Sequence, residues 1–556
     1  MEKDDYINLS DEEKIELIKR EKNDLIKLKI IRSLSSEDVI MKCVNLISNE
    51  STKSAITYSL SKLENKVRVI EGLTEEKWIT SATIELPSNK YKIKMLSKIK
   101  NLYFKNCIIQ SLNINDNEIK NELKTIDDEK DLASIVARIN NTDLKYYYLD
   151  KIKDEKNKAK IIISLDNEQL TEKYLEQVKD KASSTLLKSS LKNIKKRDEL
   201  LDINNNTYSN IKVPDGITIG MEIECEGNGS MDAYIINKIF EGYSAKIDNS
   251  LQEGVEITTP VLNNSKEDTQ NIYCVCKILK DLGQTVSERC GGHIHIGANY
   301  LKEKQSYKNL LELWSNNEKL IYLISNKKGE VSRDGTIAYA TPISQKIADA
   351  INNNKFNDYK YFTKDDIIKT IKDIQEERKG KEGRRTGINF LKINSNDINT
   401  IEFRLANGTI DANTWIENAT LFGNIIATSQ KLSEIQQKET KTEKEQEILN
   451  KFELLKTKDI TNENRLNMFL DLCVPDEFRQ VFIDRYIENK KILKENDKIR
   501  EDLELYISNS PINLLNGIEN LASSRRFTNV KNKEAELVSN YLEYKNPSHN
   551  QELFSR

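Results

Sequence analysis

Two of the chain's three histidines stand one residue apart, in Cys290-Gly291-Gly292-His293-Ile294-His295-Ile296-Gly297. Upstream lies Gly220-Met221-Glu222-Ile223-Glu224, and downstream Thr400-Ile401-Glu402-Phe403-Arg404. Between them Glu256 sits in Val255-Glu256-Ile257-Thr258-Thr259-Pro260, shortly after Asp248-Asn249-Ser250-Leu251. The three outer segments alternate polar and apolar residues with a period of two, the period of a half-buried strand. Glu222 then shares a face with Glu224, His293 with His295, and Glu402 with Arg404. Read singly, each segment could be a solvated strand face, a core histidine pair or a structural ion pair. Read together, four carboxylates and one or two imidazoles on one surface repel unless positive charge lies between them. Such a set calls for divalent cations. Its donors are mostly oxygen with no thiolate, which favours Mg²⁺ or Mn²⁺ over structural Zn²⁺.

The elements that must hold these residues follow from glycine usage. Only Gly72 precedes Gly216, glycines are frequent from there to Gly423, and only Gly517 follows. Strands and turns therefore belong to the middle of the chain. Residues 1–210 read as helices, with Lys/Ile/Leu-rich segments at Lys27–Ile31, Lys66–Ile70, Lys92–Leu96 and Lys158–Ile162. Their spacing looks irregular, which suggests a degenerate α-solenoid, or else a plain bundle. Residues 202–215 are the expected linker. Residues 211–435 are expected to form the mixed catalytic domain, with helices near 267–282, 305–326 and 364–377. A further helix should start after Asp411 and carry Trp415 and Phe422. Residues 436–556 read as a charged, solvated helical segment without chemistry, and His549 as part of a polar tail.

The chain has 556 residues and a formal net charge of −3, which gives no pull toward nucleic acid or an anionic membrane. No run of 18 apolar residues exists, and Met1-Glu2-Lys3-Asp4-Asp5 does not read as a signal peptide. Seven cysteines without a CxxC pair suggest a reduced, cytoplasmic protein. A phosphate loop of the G-x-x-x-x-G-K-[ST] kind is absent. The basic run Arg378-Lys379-Gly380-Lys381-Glu382-Gly383-Arg384-Arg385 could instead close over phosphates, with Arg384 and Arg385 as nucleotide contacts.

On four motifs in order, residues 215–430 resemble the amidoligase family, relatives of glutamine synthetase and glutamate–cysteine ligase. The motifs are G-x-E-x-E (Gly220 to Glu224), D-x-S-L…G-x-E-x-x-x-P (Asp248 to Pro260), C-G-x-H-x-H-x-G (Cys290 to Gly297) and I-E-F-R (Ile401 to Arg404). The resemblance implies an α+β fold: a glutamine-synthetase-like antiparallel sheet curved into a half-barrel, with flanking helices. It implies ATP and two or three Mg²⁺ or Mn²⁺ ions. Glu222, Glu224, Glu256, His293 and Glu402 would be the metal ligands. Arg404 would contact the transferred phosphate, and Asn389 and Arg333 match further family positions. The implied reaction activates a carboxylate as an acyl phosphate and joins it to an amine. A long helical segment fits a protein or peptide substrate. The competing readings are a phosphotransferase of the same fold, a metal-dependent hydrolase, and a degenerate ligase domain in a binding protein.

Overall fold

The computed structural model describes residues 6–114, 119–227, 233–248, 251, 254–326, 339–376, 381–395, 398–495, 501 and 503–514, without the side chains of 381 and 382. Helix dominates, around one open antiparallel sheet of six strands: β1 (Ile219–Glu226), β2 (Ser244–Asp248), β3 (Gly254–Thr258), β4 (Gly291–Gly297), β5 (Ile388–Asn389) and β6 (Thr400–Asn407). Their order is β2-β3-β1-β4-β6-β5. The strands β1, β4 and β6, the segments richest in alternating Glu, His and apolar residues, stand side by side in this order.

Register decides which side chains share a face, because directly opposed residues on antiparallel strands point the same way. Glu224 faces Glu256, Glu222 faces His293, His295 faces Glu402, and Glu402 faces Asn389. The polar residues of five strands thus fall on one side. Met221, Ile223, Cys225, Ile257, Ile294, Ile296, Ile401 and Phe403 fall on the other and are fully buried. Phe403 stacks on Phe422, with ring centroids 4.5 Å apart, and lies 5.4 Å from Trp314. Those rings come from the helices Ala412–Gln436 and Lys304–Ser325, which pack on each other beneath the sheet.

Helices stand close to the expected positions, at Lys266–Asp281, Lys304–Ser325, Lys364–Glu376 and Ala412–Gln436. Asp411 is the N-cap of the last, yet its carboxylate accepts from the Thr414 hydroxyl rather than a backbone N–H. Residues 202–215 contain neither helix nor strand, but they are pinned. Tyr208 donates to Glu417 at 2.8 Å, and Lys212 is held by Thr420 and Asn424.

Two expectations are corrected. The helical segment is regular. Its helices begin at Asp11, Asp24, Glu37, Glu50, Leu63, Glu76, Asn89 and Leu102, thirteen residues apart, and the same interval returns from Glu129 through Thr142, Glu155, Glu168 and Lys181 to Ile194. A first-turn acid of one helix caps the helix after next. Asp24 accepts from the N–H groups of Ser48 and Asn49, Glu50 from Thr74 and Glu75, Glu129 from Lys153 and Asp154, and Glu155 from Lys179 and Asp180. A lysine at the fourth position of a helix reaches the end of the next helix: Lys14 to Ser33, Lys27 to Leu46, Lys92 to Ser111 and Lys145 to Ser164, at 2.6–3.0 Å. The helices after residue 436 are not merely solvated either. Phe452, Phe469, Phe478 and Phe482 are fully buried, although the Lys441–Glu445 stretch stays at the surface.

Candidate active site

On the polar face of the sheet Glu222 stands between the two histidines. His293 Nδ1 lies 2.9 Å from one of its oxygens and His295 Nε2 lies 3.2 Å from the other. Burial opposes ionisation of this carboxyl, but the hydrogen bonds from His293 and His295 outweigh it and hold Glu222 well below the usual carboxylate range. For His295 burial works against the proton, while the Glu222 hydrogen bond and the Glu402 charge win and raise its affinity for one. His295 Nδ1 meets the Thr400 hydroxyl at 3.1 Å, so both ring nitrogens are held.

Glu402 is the best-supported carboxylate. Arg404 Nη1 pairs with one oxygen, and Asn389 Nδ2 donates to the other at 2.7 Å. Burial alone would raise its pKa; the charges of Arg404, His293 and His295 lower it. Asn389 is fixed in turn by Gln375, fully buried on the helix Lys364–Glu376. Its amide nitrogen donates to Asn389 Oδ1 at 2.8 Å and its oxygen accepts from Phe390 N at 2.9 Å. Arg404 stands at a bulge: Gly292 faces Ala406 and Ile294 faces Phe403, so two residues of β6 oppose His293 alone. The guanidinium Nε is buried without a partner, which leaves a donor for an anion.

Glu224 accepts from Gly291 N at 2.6 Å. A side chain at Gly291 would come within 2.4 Å of His293 Nε2, so only glycine lets this backbone approach the imidazole. Glu256 keeps its proton to higher pH than an ordinary glutamate, first through burial and then through the charges of Glu222, Asp248 and Glu224. Such a carboxyl ionises fully once a cation arrives.

Among the described residues two sets of donor atoms are each gathered within 4.8 Å: Glu222, His295 and Glu402, and Glu224, Asp248 and Glu256. Of the residues expected as metal ligands, Glu222, Glu224, Glu256 and Glu402 fall in these sets. His293 lies between them, 3.8 Å from Glu224 and 4.0 Å from Glu402. Two members had no role assigned from sequence. His295 was indistinguishable from His293 by type or spacing. Asp248 closes Ser244–Asp248, where Lys246 and Asp248 alternate with Ala245 and Ile247, and that alternation was the available signal. Gln375 gave none, since its role exists only once its helix meets β5. Arg333 lies outside the described residues. Arg384 is exposed, and Arg385 lies over the Tyr339 ring, 4.9 Å from its centroid.

The family described as "putative amidoligase enzyme" matches residues 116–426. The chain belongs to it. The match starts within the helical segment, upstream of the expected residue 215, so amidoligase family character extends across part of the repeat. No curated protein matches the sequence. Among the described residues no helix is long and apolar enough to cross a membrane, and all seven cysteines are free thiols.

Proposed function

We propose that this amidoligase is an ATP-dependent carboxylate–amine ligase that forms an amide or isopeptide bond through an acyl phosphate. The observation that carries the reading is the pair of three-donor sets on one sheet face, with Arg404 beside Glu402 and one N–H of its guanidinium unpaired. Glu222, His295 and Glu402 would hold one Mg²⁺ or Mn²⁺, and Glu224, Asp248 and Glu256 another, with His293 between the sets and able to serve either. Carboxylates with one imidazole suit these hard cations. Bound to ATP, the ions would neutralise phosphate charge and align the phosphoryl group with the attacking carboxylate.

The chain's own residues supply the rest. Arg404 offers a fixed cation to the transferred phosphoryl group. Asn389 and Gln375 keep Glu402 in one orientation, so little reorganisation is needed when charge develops. The six-stranded antiparallel sheet fits the half-barrel of the glutamine synthetase superfamily, with ATP contacts from Asn389, Arg384 and Arg385 and a catalytic role for Arg333.

The helix Leu102–Gln110 packs against β2, the strand that carries Asp248. The repeat therefore abuts the acidic end of the site, which supports a protein or peptide as one substrate. A cytoplasmic setting fits the free thiols.

Calorimetric titration of ATP, with and without Mg²⁺, tests the reading against a Glu402→Ala control. Metal-dependent binding that the substitution abolishes, followed by ADP release with candidate carboxylates and amines, is the expected result. Binding indifferent to both metal and Glu402 would overturn it.

A further inference from the structure

On the far side of the helix Lys304–Ser325 from the sheet lies a cleft of about 360 Å³, between that helix and the C-terminal helices Asn462–Cys473 and Arg479–Glu495. Its size is that of a small-ligand pocket. Five cationic side chains line it: Lys319, Lys458, Arg465, Lys490 and Lys494. One carboxylate does, Glu318, and it is turned away, accepting from Trp314 Nε1, Ile343 N and Ser344 N.

The cations are unequally compensated. Lys319 pairs with Glu504 and Lys490 with Glu463, at 2.7 and 2.9 Å. Arg465 is buried, and its guanidinium meets only neutral oxygens: the carbonyls of Asn316, Leu455 and Thr457 and the Asn317 side chain. Lys458 reaches the Ser508 carbonyl at 3.4 Å, and among the described residues no carboxylate pairs with Lys458, Arg465 or Lys494. A buried charge without a counter-charge is costly, and a cleft walled by protein focuses such a field. A further polar group is left over. The Ser315 hydroxyl, on a residue 2% exposed that lines the cleft, has no hydrogen-bond partner. Among the described residues, a guanidinium and two ammonium groups without a carboxylate partner and a hydroxyl without a hydrogen-bond partner line one cavity.

We infer that this cleft is a second ligand site, separate from the sheet face, which binds a small phosphate-bearing anion through Lys458 and Lys494, with Arg465 supplying a fixed positive field and Ser315 a hydrogen bond. Phosphate is favoured over a planar carboxylate because the free donors are lysine ammonium groups. These act as point charges, whereas the one guanidinium fork is already spent on neutral oxygens.

The test is calorimetric titration of inorganic pyrophosphate into the full chain in EDTA, which keeps any metal-dependent nucleotide site silent. Wild-type protein should bind one equivalent at sub-millimolar concentration. Lys458→Gln and Lys494→Gln, made separately, should each weaken binding at least tenfold with an unchanged melting temperature in the absence of ligand; both positions are exposed, so folding is not at stake. Glu402→Gln should leave binding intact. No binding at several millimolar pyrophosphate, binding that ignores both lysines, or binding lost in Glu402→Gln would each overturn the assignment. Because the sheet face enters only as a control, failure here leaves the ligase reading untouched.

Discussion

Glu222 meets both histidines, His293 at Nδ1 and His295 at Nε2, and the two imidazoles are not equivalent. His295 shares a three-donor set with Glu222 and Glu402 and has its other nitrogen fixed by Thr400. His293 is wedged against Gly291. The geometry therefore predicts that His295→Ala weakens Mn²⁺ binding at least tenfold, and that His293→Ala weakens it less. Competitive titration against a chromogenic chelator would read both, and the reverse order would return the ligand role to His293 as the family resemblance implies. Gln375 makes no contact with the donor sets, but it fixes Asn389, which fixes Glu402. Supports of this kind typically contribute about tenfold or more in metal affinity or activity. Gln375→Leu should accordingly cost about tenfold in Mn²⁺ affinity while far-ultraviolet circular dichroism stays native; unchanged affinity would show that Asn389 alone suffices. The strand-borne residues were legible because a period of two assigns faces without knowledge of pairing. Gln375 was not, because a buried glutamine on an amphipathic helix looks like any other polar interruption until the helix meets the sheet.

The thirteen-residue helix interval raises the same issue for the repeat. The Lys/Ile segments at Lys27, Lys66 and Lys92 stand at multiples of thirteen, and the one at Lys158 slips by a single residue. The regularity was present in the sequence but hidden, because its markers, an acid at the first helical position and a lysine at the fourth, are each missing from some of the helices while the apolar positions vary. What makes those markers structural is their reach to neighbouring helices, which only the stacked arrangement displays. Asn89 takes the acid's place in its helix. It exchanges hydrogen bonds with the Asn113 backbone, at 2.8 and 2.9 Å, and is itself buried. Asn89→Ala should cost about 1–2 kcal/mol in urea denaturation, the scale of a lost helix cap. Lys145 gives a pH signature. Burial, and then the charge of Lys238, depress its pKa to about 8. Between that value and about 10.4, where an unfolded lysine titrates, the unfolded chain holds the extra proton, so stability rises with pH across this window and the advantage is lost as pH falls through 8. Lys145→Met should flatten the difference in urea midpoint between pH 8 and pH 10 relative to wild type; an unchanged difference would mean that Lys145 stays charged.

At the scale of the molecule, the repeat and the sheet are not independent bodies joined by a tether. One hydrophobic cluster runs from Val67 through Ile162, Leu187 and Ile211 into Ile223 and Ile294, while residues from Tyr6 to Leu60, together with Val69, form a second, smaller cluster. Polar contacts cross the same boundary. Tyr234 donates to the Ala137 carbonyl at 3.2 Å while Arg138 lies over its ring, and Asp281 binds both Thr185 and Lys181 at 2.7 Å. Composition placed a division near residue 210, where glycine becomes frequent, because composition registers a change of element type and cannot register shared burial. The family match begins at residue 116, inside the larger cluster and upstream of the glycine-rich part of the chain. Truncation separates the two descriptions. A chain starting at Leu63 loses most of the smaller cluster and should fold with a cooperative transition and retain Mn²⁺ binding on the sheet face. A chain starting at residue 206 uncovers the helices Ala233–Ile239 and Lys266–Asp281 where they pack on the repeat helices Glu155–Leu165 and Lys181–Ser189, and each fully exposed aliphatic side chain forfeits about 1.5–3 kcal/mol. Against a typical total of about 5–15 kcal/mol, that loss should leave it aggregated or molten, with no sharp melting transition. If the shorter chain instead melts cooperatively and binds Mn²⁺ like the full protein, the repeat is an appended module, and its contribution to the ligase must then be sought in substrate KM rather than in the stability of the site.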